Sequence, residues 1–312
     1  MESLQISLNA VFPLCLYMAA GYLARRRGLI DEEIILKFNR VAFLVFLSTS
    51  VFSALYGSDL STAVNPKLIL FVVFGVLAEF LYGFLVANKV ADQENQKGVI
   101  VQGIFRSNFT LIGLAIARAL LPHEDIAPVV FLCAIITPEF NILAVIALSL
   151  YGGEKVRPRE VVVRIVKNPL IIATAAGILC LVLKVQFPKS IETAITGMAG
   201  VATPLMLFLL GAFFRFDSFG GSAKQISTTT AFKLIINPAI FLTIGYLLGF
   251  RGVEFAGLIG VFASSAAVSS FTMSQQMGGD AELAGGIVIL TSIISCLTLF
   301  GWCTLFKTLG AF

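Results

Sequence analysis

Hydrophobic and polar positions in this chain alternate on a long wavelength. Apolar runs occupy residues 4–24, 34–56, 67–88, 98–121, 126–151, 161–184, 190–214, 225–249, 253–277 and 283–306. Short polar stretches separate them, such as Gly57-Ser58-Asp59, Pro122-His123-Glu124-Asp125 and Gly278-Gly279-Asp280. A helix needs ~20 mostly apolar residues to cross a bilayer. Hydrocarbon offers no partner to backbone polar groups, so each run must satisfy its own. The pattern predicts an all-α integral membrane protein with ten transmembrane helices. No basic region precedes the first run and no small-residue cleavage site closes it, so the first helix is expected to be retained.

Composition adds an exclusion. The 312 residues are 58% hydrophobic and 13% charged, with mean hydropathy +0.94, whereas soluble domains are ~25% charged. Too little charge remains to cover a globule in water, and no stretch is left for a soluble domain. The five cysteines, Cys15, Cys133, Cys180, Cys296 and Cys303, lie inside apolar runs without CxxC spacing, as small buried hydrophobes do. No metal, cofactor or nucleic-acid partner is expected.

Charge then supplies orientation. Of 22 Lys and Arg residues, 14 border one side: Arg25–Arg27, Lys37, Arg40, Lys89, Lys97, Lys155, Arg157, Arg159, Arg164, Lys167, Arg215 and Lys224. Six border the other (Lys67, Arg118, Lys184, Lys189, Arg251 and Lys307), and Arg106 and Lys233 fall within runs. The basic side is expected in the cytoplasm, which puts both termini on the outer, periplasmic face of a bacterial inner membrane.

A basic linker, 152–160, divides the chain into 1–151 and 161–312, with five runs each. Halves with an odd number of crossings have opposite orientations, so homologous halves form an inverted repeat. Gly98–Thr110 in the fourth run lies over Gly260–Thr272 in the ninth without a gap. Gly98/Gly260, Val99/Val261, Ser107/Ser269, Phe109/Phe271 and Thr110/Thr272 are identical. Ala20-Gly21 in the first run likewise matches Ala176-Gly177 in the sixth.

Inverted repeats in membranes accompany alternating access, with substrate held near the midplane between interrupted helices. The most polar mid-run stretches are Arg106-Ser107-Asn108-Phe109-Thr110 and Ser264–Thr272. An interrupted helix there presents unpaired N–H groups and a positive pole suited to an anion. The plainer alternative has these serines bonding to their own helix carbonyls. The expected substrate contacts are Ser107, Asn108, Phe109, Thr110, Ser269, Ser270 and Phe271.

RSNFTLIGLA (Arg106–Ala115), KNPLIIATAAGIL (Lys167–Leu179) and QQMGGDAELAGGIVILTSIIS (Gln275–Ser295) resemble the auxin efflux carrier family, which is distantly similar to bile-acid sodium symporters. The resemblance runs through the whole chain. It implies broken, crossing fourth and ninth helices. It also implies a scaffold of helices one, two, six and seven, and a mobile transport domain of three to five with eight to ten. Family members carry organic anions and are commonly homodimers embedded in lipid. Asn108 matches the family Asn at the fourth-helix break. Plant members have prolines at both breaks where this chain has Ser107 and Ser270, so its breaks must rest on Ser, Gly and packing.

Four charged residues lie inside the runs, each costing at least ~2.5–3.5 kcal/mol at the bilayer centre: Glu79, Arg106, Glu139 and Lys233. Three roles stay open. Glu79 or Glu139 takes up a proton that couples transport, Lys233 is a fixed cation in place of sodium, as the resemblance to the plant family members suggests, or these groups pair internally. Gln275 and Gln276 are the remaining candidates for an ion site, although sodium coupling has little support without an acid at the ninth-run crossover. No GxxxxGK[ST] phosphate loop is present, and the lone His123 sits in a turn, away from any serine dyad or HExxH pattern. A secondary-active or potential-driven carrier of small organic anions, moving as an elevator, is expected rather than an enzyme. A sodium symporter and a ligand-binding membrane sensor are the alternatives.

Overall fold

A computed structural model describes residues 2–57, 65–151, 158–214 and 221–312. Residues 152–157 of the linker, Ser58 and Asp59 of the second boundary, and Lys155, Arg157 and Arg215 of the charge count lie outside the described residues.

The described chain is helical. In order, α1 is Glu2–Arg26, α2 Glu32–Tyr56, α3 Pro66–Val90, α4 Glu94–Phe105, α5 Phe109–Leu120, α6 Ala127–Tyr151, α7 Pro158–Val166, α8 Pro169–Val182, α9 Lys189–Phe213, α10 Ala223–Leu247, α11 Gly252–Ala263, α12 Ser269–Gln276 and α13 Ala281–Thr308. Six of these, α2, α3, α6, α9, α10 and α13, have the length and apolar character to cross a membrane. α5, α8 and α11 are shorter apolar helices.

Local sequence explains the helix starts. Asp31, Asn65, Asn168 and Asp280 each accept a backbone N–H of the following first turn, which satisfies a donor the helix leaves free. After Asn65 and Asn168 comes a proline at the first helical position, where its missing N–H is harmless. The sixth run thus begins at Pro169, not 161, because Asn168 caps a new helix and α7 precedes it as a separate element.

Close packing is concentrated at glycines. A Cβ on Gly21 would lie 1.8 Å from the Phe208 carbonyl oxygen, and one on Gly211 would lie 1.9 Å from that of Met18. α1 and α9 therefore touch backbone to backbone. Gly177, the sequence partner of Gly21, brings α8 onto α2, where a Cβ would stand 2.8 Å from that of Leu55. So α1, α2, α8 and α9 pack on one another, while α3 packs on α4, α4 on α6, α10 on α11 and α12 on α13. α1 also packs against α13 and α5.

Candidate functional site

The fourth and ninth runs are each interrupted, and the interruptions meet. α4 stops at Phe105 and α5 begins at Phe109 with a π-type first turn. α11 stops at Ala263 and α12 begins at Ser269. The extended residues between them form an antiparallel bridge, Ser107 opposite Ala266. The Asn108 N–H donates to the Ser265 carbonyl at 2.8 Å, and the Ala267 N–H to the Arg106 carbonyl at 3.2 Å. Each break thus supplies hydrogen bonds the other has lost from its helix, which is how both persist without proline. Just beyond, α5 crosses α11 where Gly113 faces Gly260; a Cβ on Gly260 would lie 2.6 Å from the Gly113 Cα.

The last carbonyls of α4 are also accounted for. Lys233 Nζ donates to the Phe105 carbonyl at 3.2 Å and Asn237 Nδ2 to that of Ile104 at 2.9 Å. Both side chains come from α10, where a π-type turn spans Phe232–Ile236. An ammonium at this pole complements the partial negative charge of a helix C-terminus. Tyr82 completes the cluster by donating its hydroxyl to Asn237 Oδ1.

A half-open cavity of about 560 Å³ lies against the first break. Arg106, Ser107, Asn108, Phe109, Thr110 and Ser269 line it, as does Asn141 of α6. α1, α2 and α9 close the opposite side through residues including Tyr17, Ser50, Val51, Thr203 and Pro204. Arg106 is 4% exposed. It donates to Asn141 Oδ1 at 2.7 Å and contacts the Met273 thioether.

The expected site residues divide. Five of the seven substrate candidates line the cavity, whereas Ser270 and Phe271 do not: the ninth run breaks earlier than the ungapped match implied, so both sit in the first turn of α12. The Phe271 ring packs at 5.1 Å from that of Phe213. Of the four intramembrane charges, only Arg106 reaches the cavity. Glu79 lies in electrostatic reach of Lys233. Neither Glu79 oxygen has a partner at normal hydrogen-bond geometry, although the Asn237 amide, which also donates to the Ile104 carbonyl, lies beside it. Glu139 is half-buried with Oε2 unpartnered. Among the described residues none of the four forms an ion pair; peripheral pairs include Arg25–Glu32, Lys37–Glu33 and Lys97–Glu94. Of the three roles left open, internal pairing is thus not found among the described residues.

Gln275 and Gln276 are not drawn into an oxygen cage. Asn39 of α2 donates to Gln275 Oε1 and accepts from Thr272 Oγ1 at 2.9 Å. Gln276 lies at the end of α12. Sequence reasoning missed Asn141, Asn39 and the cavity-facing groups of α1, α2 and α9. Asn141 carried a signal, an amide three residues after Pro138 in an apolar helix. The others carried none, since Tyr, Ser and Thr recur in membrane helices that merely pack.

Long apolar helices surround a cavity at paired helix interruptions, and the family to which the chain belongs is one of membrane transporters. The chain belongs to the family described as membrane transport protein, which matches residues 6–142 and 148–303 and is the auxin efflux carrier family its motifs resemble. An "Uncharacterized transporter" of Methanothermobacter thermautotrophicus is 23% identical, covering 95% of this chain and 97% of its own length. A second "Uncharacterized transporter", from Methanocaldococcus jannaschii, is 21% identical over 95% of this chain and 98% of its own. A protein of Rhizobium meliloti named "Putative malonate transporter" is 25% identical over 74% of this chain and 72% of its own.

Proposed function

We propose that the protein is a secondary carrier of small organic anions, built as two inverted five-helix repeats, 1–151 and 161–312. Substrate binds where α4/α5 and α11/α12 are interrupted. The observation that carries this reading is the cavity at the first break, where the Asn108 side-chain amide is buried without a partner beside the positive pole of α5. The malonate named for one relative belongs to the same substrate class.

The way the helices associate supports an elevator mechanism. α1, α2, α8 and α9 would form the scaffold, and α3–α6 with α10–α13 the moving domain, the cavity lying between the two groups. The matched glycines Gly21 and Gly177 support the repeat, for they sit at two related crossings, first run on seventh and sixth on second. Sodium is not required in this reading, because the carbonyls ending α4 already hold an ammonium and an amide. Glu79 and Glu139 are the remaining groups for proton coupling. The carrier would function as a homodimer in a bacterial inner membrane, with both termini outside.

Counterflow in proteoliposomes tests the function. Vesicles preloaded with unlabelled carboxylate should accumulate the labelled compound, with no change when sodium is replaced by potassium. Binding without counterflow would identify a sensor instead.

A further inference from the structure

Among the residues lining the cavity, Arg106 is the one that carries a formal charge, and no carboxylate of the described residues pairs with it. Buried charges in proteins are normally paired or coordinated, because stripping them of water is costly. The two hydrogen-bond partners of Arg106 are neutral, the Met273 sulfur and Asn141 Oδ1. A thioether is a weak acceptor, and a guanidinium has five N–H donors in a planar fork. Most of that capacity is unspent.

The neighbouring polar groups point the same way. Asn108 Nδ2 and Asn141 Nδ2 are both buried without an acceptor, in residues 8% and 1% exposed, and both residues line this cavity. The Ser107 hydroxyl beside them is also unpartnered. A guanidinium, two amide NH₂ groups and a hydroxyl, with no acidic side chain in the lining, form a donor-rich and acceptor-poor cradle. That is the chemistry of a carboxylate ligand.

We infer that Arg106 is the substrate's counter-charge: one carboxylate of a small organic monoanion sits between its guanidinium and the side-chain amides of Asn108 and Asn141. The inference rests on the carrier reading and specifies its substrate class. A single cation neutralises a single carboxylate. Leu47, Val51, Phe140 and Met206 make part of the remaining wall apolar, and its other polar groups are neutral hydroxyls, so the body of the ligand is largely apolar and a second carboxylate would find no second cation. Monocarboxylates with aliphatic or aromatic bodies are therefore preferred over the malonate dianion.

The test is ligand-induced thermal stabilisation of the purified full-length protein, titrated with benzoate, indole-3-acetate, butyrate, malonate and the primary amides of the monocarboxylates. Wild type should be stabilised by at least one monocarboxylate, at least tenfold more tightly than by its amide or by malonate. Arg106→Gln should weaken that ligand by about 100-fold and Arg106→Lys by about tenfold, because the ammonium keeps the charge and loses the fork. Asn141→Asp keeps Arg106 but supplies an internal carboxylate within hydrogen-bond reach. It should raise the melting temperature of the empty protein and abolish carboxylate stabilisation, which guards against a misfolded Arg106 variant. Carboxylate binding that survives both Arg106→Gln and Asn141→Asp within twofold overturns the role of Arg106 and leaves the carrier reading standing. Tighter binding of malonate overturns the monoanion preference. No stabilisation by any carboxylate, with a neutral amide binding instead, overturns both.

Discussion

The two interruptions of the helical framework look alike in sequence and differ in what they offer. The first is short, Arg106–Asn108, and turns charge and amide toward the cavity. The second is longer, 264–268, and contributes Ala267 and Val268 to the cavity, with Ser269 just beyond. Ser264 and Ser265 are fully buried with unpartnered hydroxyls, away from the cavity. What the second break provides is backbone: the Ser265 carbonyl and the Ala267 N–H that hold the first break open, while Thr291 of α13 accepts from the Ala266 N–H at 3.2 Å. In the proposed reading, one break is the recognition surface and the other its brace. Equal polarity along a sequence thus does not imply equal function, because direction decides which polar atoms meet ligand.

The largest expected effect comes from removing the cation behind the first break. Lys233→Met strands the Phe105 carbonyl and leaves Glu79 without its nearby positive charge. A loss of about 3 kcal/mol is expected, in the range for orphaning a buried charged partner, seen as a lower unfolding midpoint in denaturant. Adding Glu79→Gln should recover part of that loss, and strict additivity would break the electrostatic link between the two.

Next comes the crossing that positions both breaks. Gly260→Ala drives a Cβ into the Gly113 backbone and the Phe109 ring, and about 2 kcal/mol of stability should be lost to overpacking. Uptake should fall with it, whereas Gly197→Ala on the open face of α9, where a Cβ meets nothing within 4 Å, should change neither.

Asn108→Ala separates recognition from support. Its side-chain N–H groups have no protein partner to lose, so stability should hold to within about 1 kcal/mol. Uptake of labelled carboxylate should drop about 10- to 100-fold, the value of one hydrogen bond to a charged group. Unchanged uptake would put substrate elsewhere than at the first break.

The smallest effect is expected at the brace. Ser264→Ala and Ser265→Ala remove hydroxyls that are buried and unsatisfied, so stability should be unchanged or slightly raised and uptake should stay within twofold of wild type. A strong uptake defect would make the second break a recognition surface too, and the contrast between the two would collapse.

Much of this architecture is legible in the sequence, and particular residues mark the limit. The polar stretches in the fourth and ninth runs identified both interruptions, and Arg106, Ser107 and Asn108 were placed at the first one correctly. The ungapped overlay misplaced the second, because it paired Gly98 with Gly260. Their roles differ: Gly98 admits the Ala147 backbone of α6, and Gly260 admits Gly113 of α5. Ser270 was accordingly assigned to a break that had already ended. Glu79, Glu139 and Lys233 were recognised as costly in lipid, yet sequence could not say that Lys233 caps a broken helix while Glu139 does not reach the cavity.

By itself the sequence determined the solvent and the secondary structure. A bilayer imposes one rule, that backbone groups be satisfied within apolar segments, and that rule is written as run length and composition. It also determined which two runs yield, the fourth and the ninth, since a dense polar stretch amid apolar residues cannot face lipid. Only the tertiary structure decided which donors face one another across the cavity. Orphaned amides and an unpaired guanidinium are properties of an arrangement in space: Arg106 and Asn141 are far apart in the chain and meet at 2.7 Å, and no local pattern records that contact.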